Sequence, residues 1–334
     1  MFIPSRVIIE EKALEYKLGE ELLNRFRKED KEIIISKGRV SGIPGNTPRE
    51  MYVEGKSTLV VGVRKTLEFQ SCKPSAHYQL PLVSGCMGMC EYCYLNTQLG
   101  KRPYTKIHVN LDEIFEKALK YVEDRKPEVT IFEGAATSDP IPVEQYTGAL
   151  EKAIELFGSN EYTKFRFVTK YGDVDSLLNL KHNGRTTVRF SINTDNIIRK
   201  FEHKTNGINE RIEGAYKIAK ANYPLGFIIA PVFLYDNWQE DYKELINKIG
   251  ELFKGHQVNF EIISHRFTKR AKENILSVYP KSLLPMDEEI RKFKYGQFGY
   301  GKYVYTNEEI NNMKGFFYEN ITKYFDEKNI NYII

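Results

Sequence analysis

The chain has only four cysteines, no apolar run of the length a membrane span needs, and no large excess of charge of either sign. Four thiols, three of them crowded between residues 86 and 93, do not make the paired framework of a disulfide-stapled secreted domain; they suit a reducing cytosol. Nowhere do about 18 uncharged apolar residues run together. The opening Met1-Phe2-Ile3-Pro4-Ser5-Arg6 also lacks the charged-then-apolar pattern of a secretion signal. A cytoplasmic protein without a membrane partner is expected. A net charge of +4 over 334 residues is too small to demand a nucleic-acid partner, yet it allows one if lysines and arginines gather on one face. No disorder need be invoked: 41% hydrophobic and 28% charged residues are the proportions of a globular protein with a well-buried core.

What is there reads as an α/β protein. Val7-Ile8-Ile9 is β-branched, Leu14 to Phe26 has helical periodicity, and Glu32 to Ile35 is again extended. A loop rich in glycine and proline, Gly42 to Pro48, separates this unit from Leu59 to Val63, an apolar run expected to return to the same sheet. From Leu82 strands alternate with amphipathic helices. Helices are expected at Leu111–Val122, with Asn110 as cap, and at Val143–Phe157, Val174–Leu180, Glu210–Ala221 and Trp238–Phe253. Strands are expected at Thr130–Phe132, Phe165–Val168, Thr187–Ile192, Leu225–Val232 and Asn259–Ile263. Repeated strand–helix units call for a parallel sheet with helices outside. About six of them, too few for a closed eight-stranded barrel, predict a partial (β/α)6 TIM-like barrel open on one side. The expected organisation is a small α/β addition over residues 1–80, the barrel over 81–264, and a C-terminal segment over 265–334. In that segment Lys294 to Tyr303 makes a β-hairpin and Asn307 to Phe325 a helix.

Three cysteines stand in Gly85-Cys86-Met87-Gly88-Met89-Cys90-Glu91-Tyr92-Cys93-Tyr94. Thiolates are soft ligands, and several from one tight loop commonly hold an iron-sulfur cluster. Three sulfurs tie three irons of a four-iron cubane and leave the fourth open for a small molecule. Cys86, Cys90 and Cys93 are therefore candidate ligands of a 4Fe-4S cluster, with Gly85 and Gly88 giving the loop freedom to wrap. Two other readings stay open: a zinc site completed by Cys72, His77 or His108, and three cysteines packed in a core. Zinc motifs more often come as two spaced pairs, which favours the cluster.

The C-x3-C-x2-C spacing, with an aromatic before its last cysteine, resembles the signature of the radical S-adenosylmethionine (SAM) superfamily. That resemblance implies that the open iron chelates the amino and carboxylate groups of SAM. Polar residues at the expected strand ends fit the rest of the cofactor. Ser138 can accept from its ammonium, Lys170 can meet its carboxylate, and Ser191 or Asn193 can reach its ribose, with Ala230 ending the next strand.

The resemblance narrows further. Lys56 to Thr66, Gly85 to Leu95, Phe167 to Lys170, Phe190 to Asn193, Tyr223 to Ile228 and His265 to Lys269 are similar to the spore photoproduct lyase family, and the likeness runs from about Ile9 to the C-terminus. It implies a DNA-repair lyase that reverts a methylene-bridged thymine dimer through a 5′-deoxyadenosyl radical, SAM being regenerated. It also implies a one-electron donor such as flavodoxin or ferredoxin, a monomer, and the cytoplasm of a spore or germinating cell. In the family a cysteine gives back a hydrogen from the loop that here reads Glu133-Gly134-Ala135-Ala136-Thr137-Ser138-Asp139, and the resemblance places it at Ala136. Alanine has no S–H. Either this is an engineered cysteine-to-alanine change or the donor lies elsewhere, and Cys72, where the family resemblance leads one to expect serine, is the remaining thiol. Tyr92 and Tyr94 stand where the family has tyrosines that touch the lesion and relay an electron and a proton.

For DNA, the family likeness implies a hairpin tip that enters the duplex, with Lys294 and Lys302 on the phosphates and Gln297-Phe298 where Arg-Tyr is expected. His265, Arg266, Lys269, Arg270 and Lys272 read as a second basic cluster. Two competing functions remain: a radical SAM enzyme acting on another substrate, and a zinc-stabilised nucleic-acid-binding module without catalysis.

Overall fold

Two mainly parallel sheets organise the computed structural model, which describes residues 1–94, 99–295, 299 and 301–334. The chain opens with β1 (Arg6–Glu10), α1 (Lys17–Lys28), β2 (Glu32–Ser36), α2 (Pro48–Lys56) and β3 (Thr58–Gly62). β1 pairs in parallel with β2 on one side and β3 on the other. Every residue of β3 is buried, since a parallel strand covered on both faces needs a continuous apolar run. Helix α2 lies just beyond the expected loop. Thr47 accepts from the Glu50 amide at 3.2 Å while the Glu50 carboxylate accepts from the Thr47 amide at 3.2 Å, and Pro48 begins the first turn.

The chain then crosses between sheets. β4 (Ser71–Cys72) and β5 (Ala76–Gln79) join the larger sheet, β6 (Val83–Ser84) the smaller one, β7 (Met89–Cys90) carries the middle cysteine, and β8 (Thr105–His108) completes the smaller sheet in the order β2-β1-β3-β8-β6. A division drawn at residue 80 thus falls where the sheets exchange strands. Next come α3 (Leu111–Glu123), β9 (Thr130–Glu133), α4 (Glu144–Thr147), α5 (Ala149–Gly158), β10 (Thr163–Thr169) and β11 (Thr186–Ile192). α6 (Asp195–Phe201), β12 (Glu202–His203), α7 (Ile208–Lys220), β13 (Leu225–Val232), α8 (Trp238–Phe253) and β14 (Val258–Ser264) follow. The C-terminal segment holds α9 (Lys269–Val278), the hairpin β15 (Lys292–Tyr295) and β16 (Gly301–Val304), α10 (Asn307–Ile321) and β17 (Ile330–Ile333).

Among the described residues the larger sheet has eight strands in the order β4-β5-β9-β10-β11-β13-β14-β17 and curls into a half-barrel. It is parallel from β5 through β17 and antiparallel only at β4. Strands β9, β10, β11, β13 and β14 are the expected repeating units; the strand expected just before the cysteine loop is β6, which joins the smaller sheet, its place being taken by β5 from ahead of residue 81, and β17 comes from the C-terminal segment. Phenylalanines 132, 157, 165, 167, 190, 227 and 260 fill the core between sheet and helices.

Three expectations are corrected. The helix expected at Val143–Phe157 is broken at Gly148, whose φ of 58° ends α4, and the Glu144 carboxylate then accepts the Leu150 and Glu151 amides at 2.9 and 3.0 Å to start α5. The helix expected at Val174–Leu180 is a single 3-10 turn, Asp175–Leu177, because the chain reverses through Asn183 and Gly184 at positive φ. Asn110 does not cap α3 by the usual side-chain bond; its amide accepts from the Arg64 N–H at 2.8 Å and donates to the Arg64 carbonyl at 3.1 Å.

Candidate active site

The cysteine loop is held from several distant segments. Gly85 sits at φ 78° beside Tyr104, where an added Cβ would come within 2.2 Å of a carbonyl oxygen, so only glycine fits. Its amide donates to the Thr137 carbonyl at 3.1 Å, which ties the loop to the end of β9. The buried Lys56 ammonium donates to the Cys86 carbonyl at 2.7 Å. β7 pairs antiparallel with β12, setting Cys90 opposite Glu202. At Gly88 an added Cβ would lie 3.3 Å from the Cys86 sulfur, so the loop closes tightly round its first thiol.

The donor set fits an iron-sulfur cluster. Burial, then nearby Asp139, pushes the Cys86 thiol up to about 12, and burial pushes Cys90 to about 11, with the Cys93 sulfur adding to both. Cationic iron reverses this, since a coordinated thiol is deprotonated. The alternative zinc ligands are turned to other partners. His77 accepts the Ile131 amide at 2.9 Å, and His108 is buried against the Pro81 carbonyl at 2.7 Å. Among the described residues no three His, Cys, Asp or Glu side chains converge on a single metal ion.

Beneath the loop lies a buried charge network that the sequence did not disclose. Lys170 donates to the Tyr92 hydroxyl at 2.6 Å and pairs with Glu202 at 2.8 Å, Tyr92 donates to Glu202, and the fully buried Arg211 pairs with Glu202 at 2.6 Å. Burial alone would raise the Glu202 carboxyl, but Lys170 and Arg211 outweigh it and hold it at about 2. Desolvation and the Glu202 charge push the Tyr92 phenol well above its ordinary range. Two of the three donors of Lys170 are thus engaged. Arg211 also donates to the Ser191 carbonyl at 2.9 Å, which fixes the end of β11. Asn193 is fully buried, donating to the Pro231 carbonyl and accepting from Tyr242, both at 2.7 Å. It links two strand ends rather than facing open space, and Ala230 is half-buried beside it.

At the edge of the half-barrel is a recess of about 300 Å³ whose walls include Gln70, Gln79, Gly85, Ala136 and Ser138. The Tyr94 hydroxyl donates to the Ala136 carbonyl at 2.8 Å. Desolvation, then the Cys93 and Cys72 sulfurs and Glu133, raises this phenol to about 12. Cys72 ends β4, half-buried; burial and Glu133 raise its thiol, and Arg166 and Arg189 oppose them. Glu133 is itself clamped by Arg166 at 3.1 Å and by Arg189, and Arg189 reaches Glu261 at 3.3 Å across the barrel floor. The structure therefore ties Tyr94, next in sequence to the last loop cysteine, Cys93, to Ala136.

The family model described as spore photoproduct lyase matches residues 2–334. The chain belongs to the spore photoproduct lyase family. It is 57% identical over 330 residues to the spore photoproduct lyase of Clostridium acetobutylicum, covering 98% of each chain, and 46% identical over 336 residues to that of Bacillus subtilis, covering 99% of this chain and 98% of that one. Among solved structures it resembles a spore photoproduct lyase double mutant, one cysteine replaced by alanine and one serine by cysteine, with bound AdoMet and dinucleoside spore photoproduct (TM-score 0.96, 46% identity, 100% of this chain and 99% of that one). It also resembles a spore photoproduct lyase complexed with the dinucleoside spore photoproduct (TM-score 0.95, 45% identity, 100% and 99% covered).

A basic hairpin follows the barrel. Lys294 and Lys302 face each other across β15 and β16, and Phe293 and Tyr295 are exposed. Gln297 and Phe298 lie outside the described residues. Of the second basic cluster, Arg266, Lys269 and Arg270 are exposed and Lys272 pairs with Glu288 at 3.1 Å. His265 is a correction: it is buried and stacked between Phe233 and Phe267, and burial with neighbouring Arg291 lowers it to about 3, so it carries no charge toward DNA.

Proposed function

We propose that the chain reverts the spore photoproduct, 5-thyminyl-5,6-dihydrothymine, to two thymines in double-stranded DNA by SAM-dependent radical chemistry. The solved relatives that hold AdoMet and the dinucleoside lesion support the choice of cofactor and substrate. When bound at Cys86, Cys90 and Cys93, a 4Fe-4S cluster with SAM supplies the 5′-deoxyadenosyl radical that takes a hydrogen from the bridged dimer. Lys56 steadies the Cys86 peptide, the free donor of Lys170 meets the SAM carboxylate, Ser138 accepts from its ammonium, and Ser191 and Ala230 border its ribose and adenine. Asn193 holds those strand ends in place.

The observation that carries the reading is the Tyr94 hydroxyl bonded to the Ala136 carbonyl at 2.8 Å, with the Cys72 sulfur among the groups that raise its phenol. Cys72 gives its sulfur-bound hydrogen to the thymine-derived radical and is left as a thiyl; Tyr94 returns a hydrogen atom to the sulfur and, as the tyrosyl radical, recovers one from 5′-deoxyadenosine, so that the 5′-deoxyadenosyl radical is regenerated. Tyr92 serves the same relay from within the Lys170–Glu202 network. The alanine at 136 and the cysteine at 72 are the same two residue types that the AdoMet-bound double mutant introduces, which supports a donor acting from β4. Lys294, Lys302, Gln297 and Phe298 contact and wedge the duplex, and a flavodoxin- or ferredoxin-type protein reduces the cluster of a monomeric, cytoplasmic enzyme. Anaerobic incubation of the iron-loaded protein with SAM, reductant and the dinucleoside photoproduct tests this: thymidine is expected, and its absence with SAM and iron both bound would refute the repair reading.

A further inference from the structure

Arg64 lies two residues beyond the end of β3. It lines the recess at Ala136 and also a larger groove of about 540 Å³ along the smaller sheet; Ser84 is shared by both. Its main chain is fixed on both sides by Asn110, at 2.8 and 3.1 Å. The guanidinium is half-buried, and its Nε donates to the Thr66 carbonyl at 2.9 Å. Among the described residues no carboxylate lies within ion-pair distance of it. Arg39 and Lys65 add exposed positive charge to the same groove, and the one carboxylate there, Glu10, is already paired with Lys106.

A half-buried guanidinium without a counter-charge has given up water and gained little, and its planar fork suits a bidentate oxyanion. A dinucleoside lacks the phosphodiesters that a DNA strand carries. We propose that Arg64, with Lys65 beside it, binds a phosphodiester of the lesion-bearing strand as that strand leaves the recess along the groove. This rests on the repair reading above and adds a strand path distinct from the hairpin.

The test is binding, measured by fluorescence anisotropy with a short lesion-bearing oligonucleotide and by calorimetry with the dinucleoside lesion and with SAM. Arg64→Gln is expected to weaken the oligonucleotide about tenfold and to lower the salt slope of its affinity by about 1, with dinucleoside and SAM affinities unchanged. Arg64→Lys should restore the slope but only part of the affinity, and it serves alone if the glutamine variant does not fold. Equal weakening of the dinucleoside, a selective loss of SAM affinity, or an unaltered oligonucleotide affinity would each overturn the proposal. Wild-type protein that binds neither form of the lesion would instead overturn the repair reading on which it rests.

Discussion

A hydrogen-atom donor has to keep its hydrogen, and burial with the Glu133 charge holds the Cys72 sulfur as S–H by raising its pKa. A thiolate could not serve, and an alcohol O–H is too strong to give up its hydrogen. Cys72→Ser should therefore retain lesion binding while thymidine yield per turnover falls at least about tenfold, which is about 1.4 kcal/mol of barrier, as read by chromatography and mass spectrometry. Unchanged yield would remove Cys72 from the chemistry. Lys56 makes a second prediction at this scale. Its buried ammonium holds the Cys86 carbonyl, so Lys56→Met should lower the iron retained after anaerobic reconstitution while far-ultraviolet circular dichroism stays the same. The three loop cysteines stood out in the sequence as candidate ligands because their chemistry is local and their spacing short. Lys56, Glu202 and Arg211 were not, because each meets the loop or its network from a segment remote in sequence, and a buried lysine looks in sequence like any surface one.

Among the elements, the buried parallel strands were the easiest to read, since each is a run of β-branched and aromatic residues bounded by turns. The misses have weaker patterns. α9 buries only Ile275 outright, β17 is a half-buried edge strand, and α6 is short, capped by Thr194. α2 had a signal in Thr47-Pro48-Arg49-Glu50, a capping box with proline at its first turn. α10 carries the same device: Thr306 accepts the Glu309 amide at 3.2 Å and Glu309 accepts the Thr306 amide at 2.7 Å. Thr306→Ala should lower stability by about 1 kcal/mol in urea denaturation, whereas Thr306→Ser should be nearly neutral. Equal losses for both would mean that the threonine methyl, not the cap, holds the helix start.

For the whole molecule, the exchange of strands between the two sheets means that neither sheet is complete without residues on both sides of position 80, so a single cooperative unfolding transition is expected. Two buried neutral histidines contribute to its pH dependence. Burial lowers His108 to about 4 and His265 to about 3, both below the ordinary histidine value. The unfolded chain takes up these protons before the folded one does. The histidine contribution to stability is therefore full above about pH 6.5 and falls as the pH drops toward those folded values, by roughly 2 kcal/mol per histidine near pH 5, while the buried Glu144 and Asp139 carboxyls, raised to about 7 and about 6, act in the opposite sense over the same window. His265→Phe, which keeps the stacking on Phe233 and Phe267, should remove one histidine's share, so that its stability near pH 5 relative to that near pH 7.5 rises against that of the unaltered protein when urea midpoints are compared; an unchanged difference would contradict a buried neutral His265.

The hydrogen that completes repair offers the most direct measurement of all. The Cys72 thiol exchanges with solvent, so turnover of the dinucleoside photoproduct in D2O, with SAM and reductant, should give thymidine carrying one deuterium in its methyl group by mass spectrometry. Unlabelled thymidine would show that the returned hydrogen comes from a non-exchanging position and would contradict a thiol donor on β4.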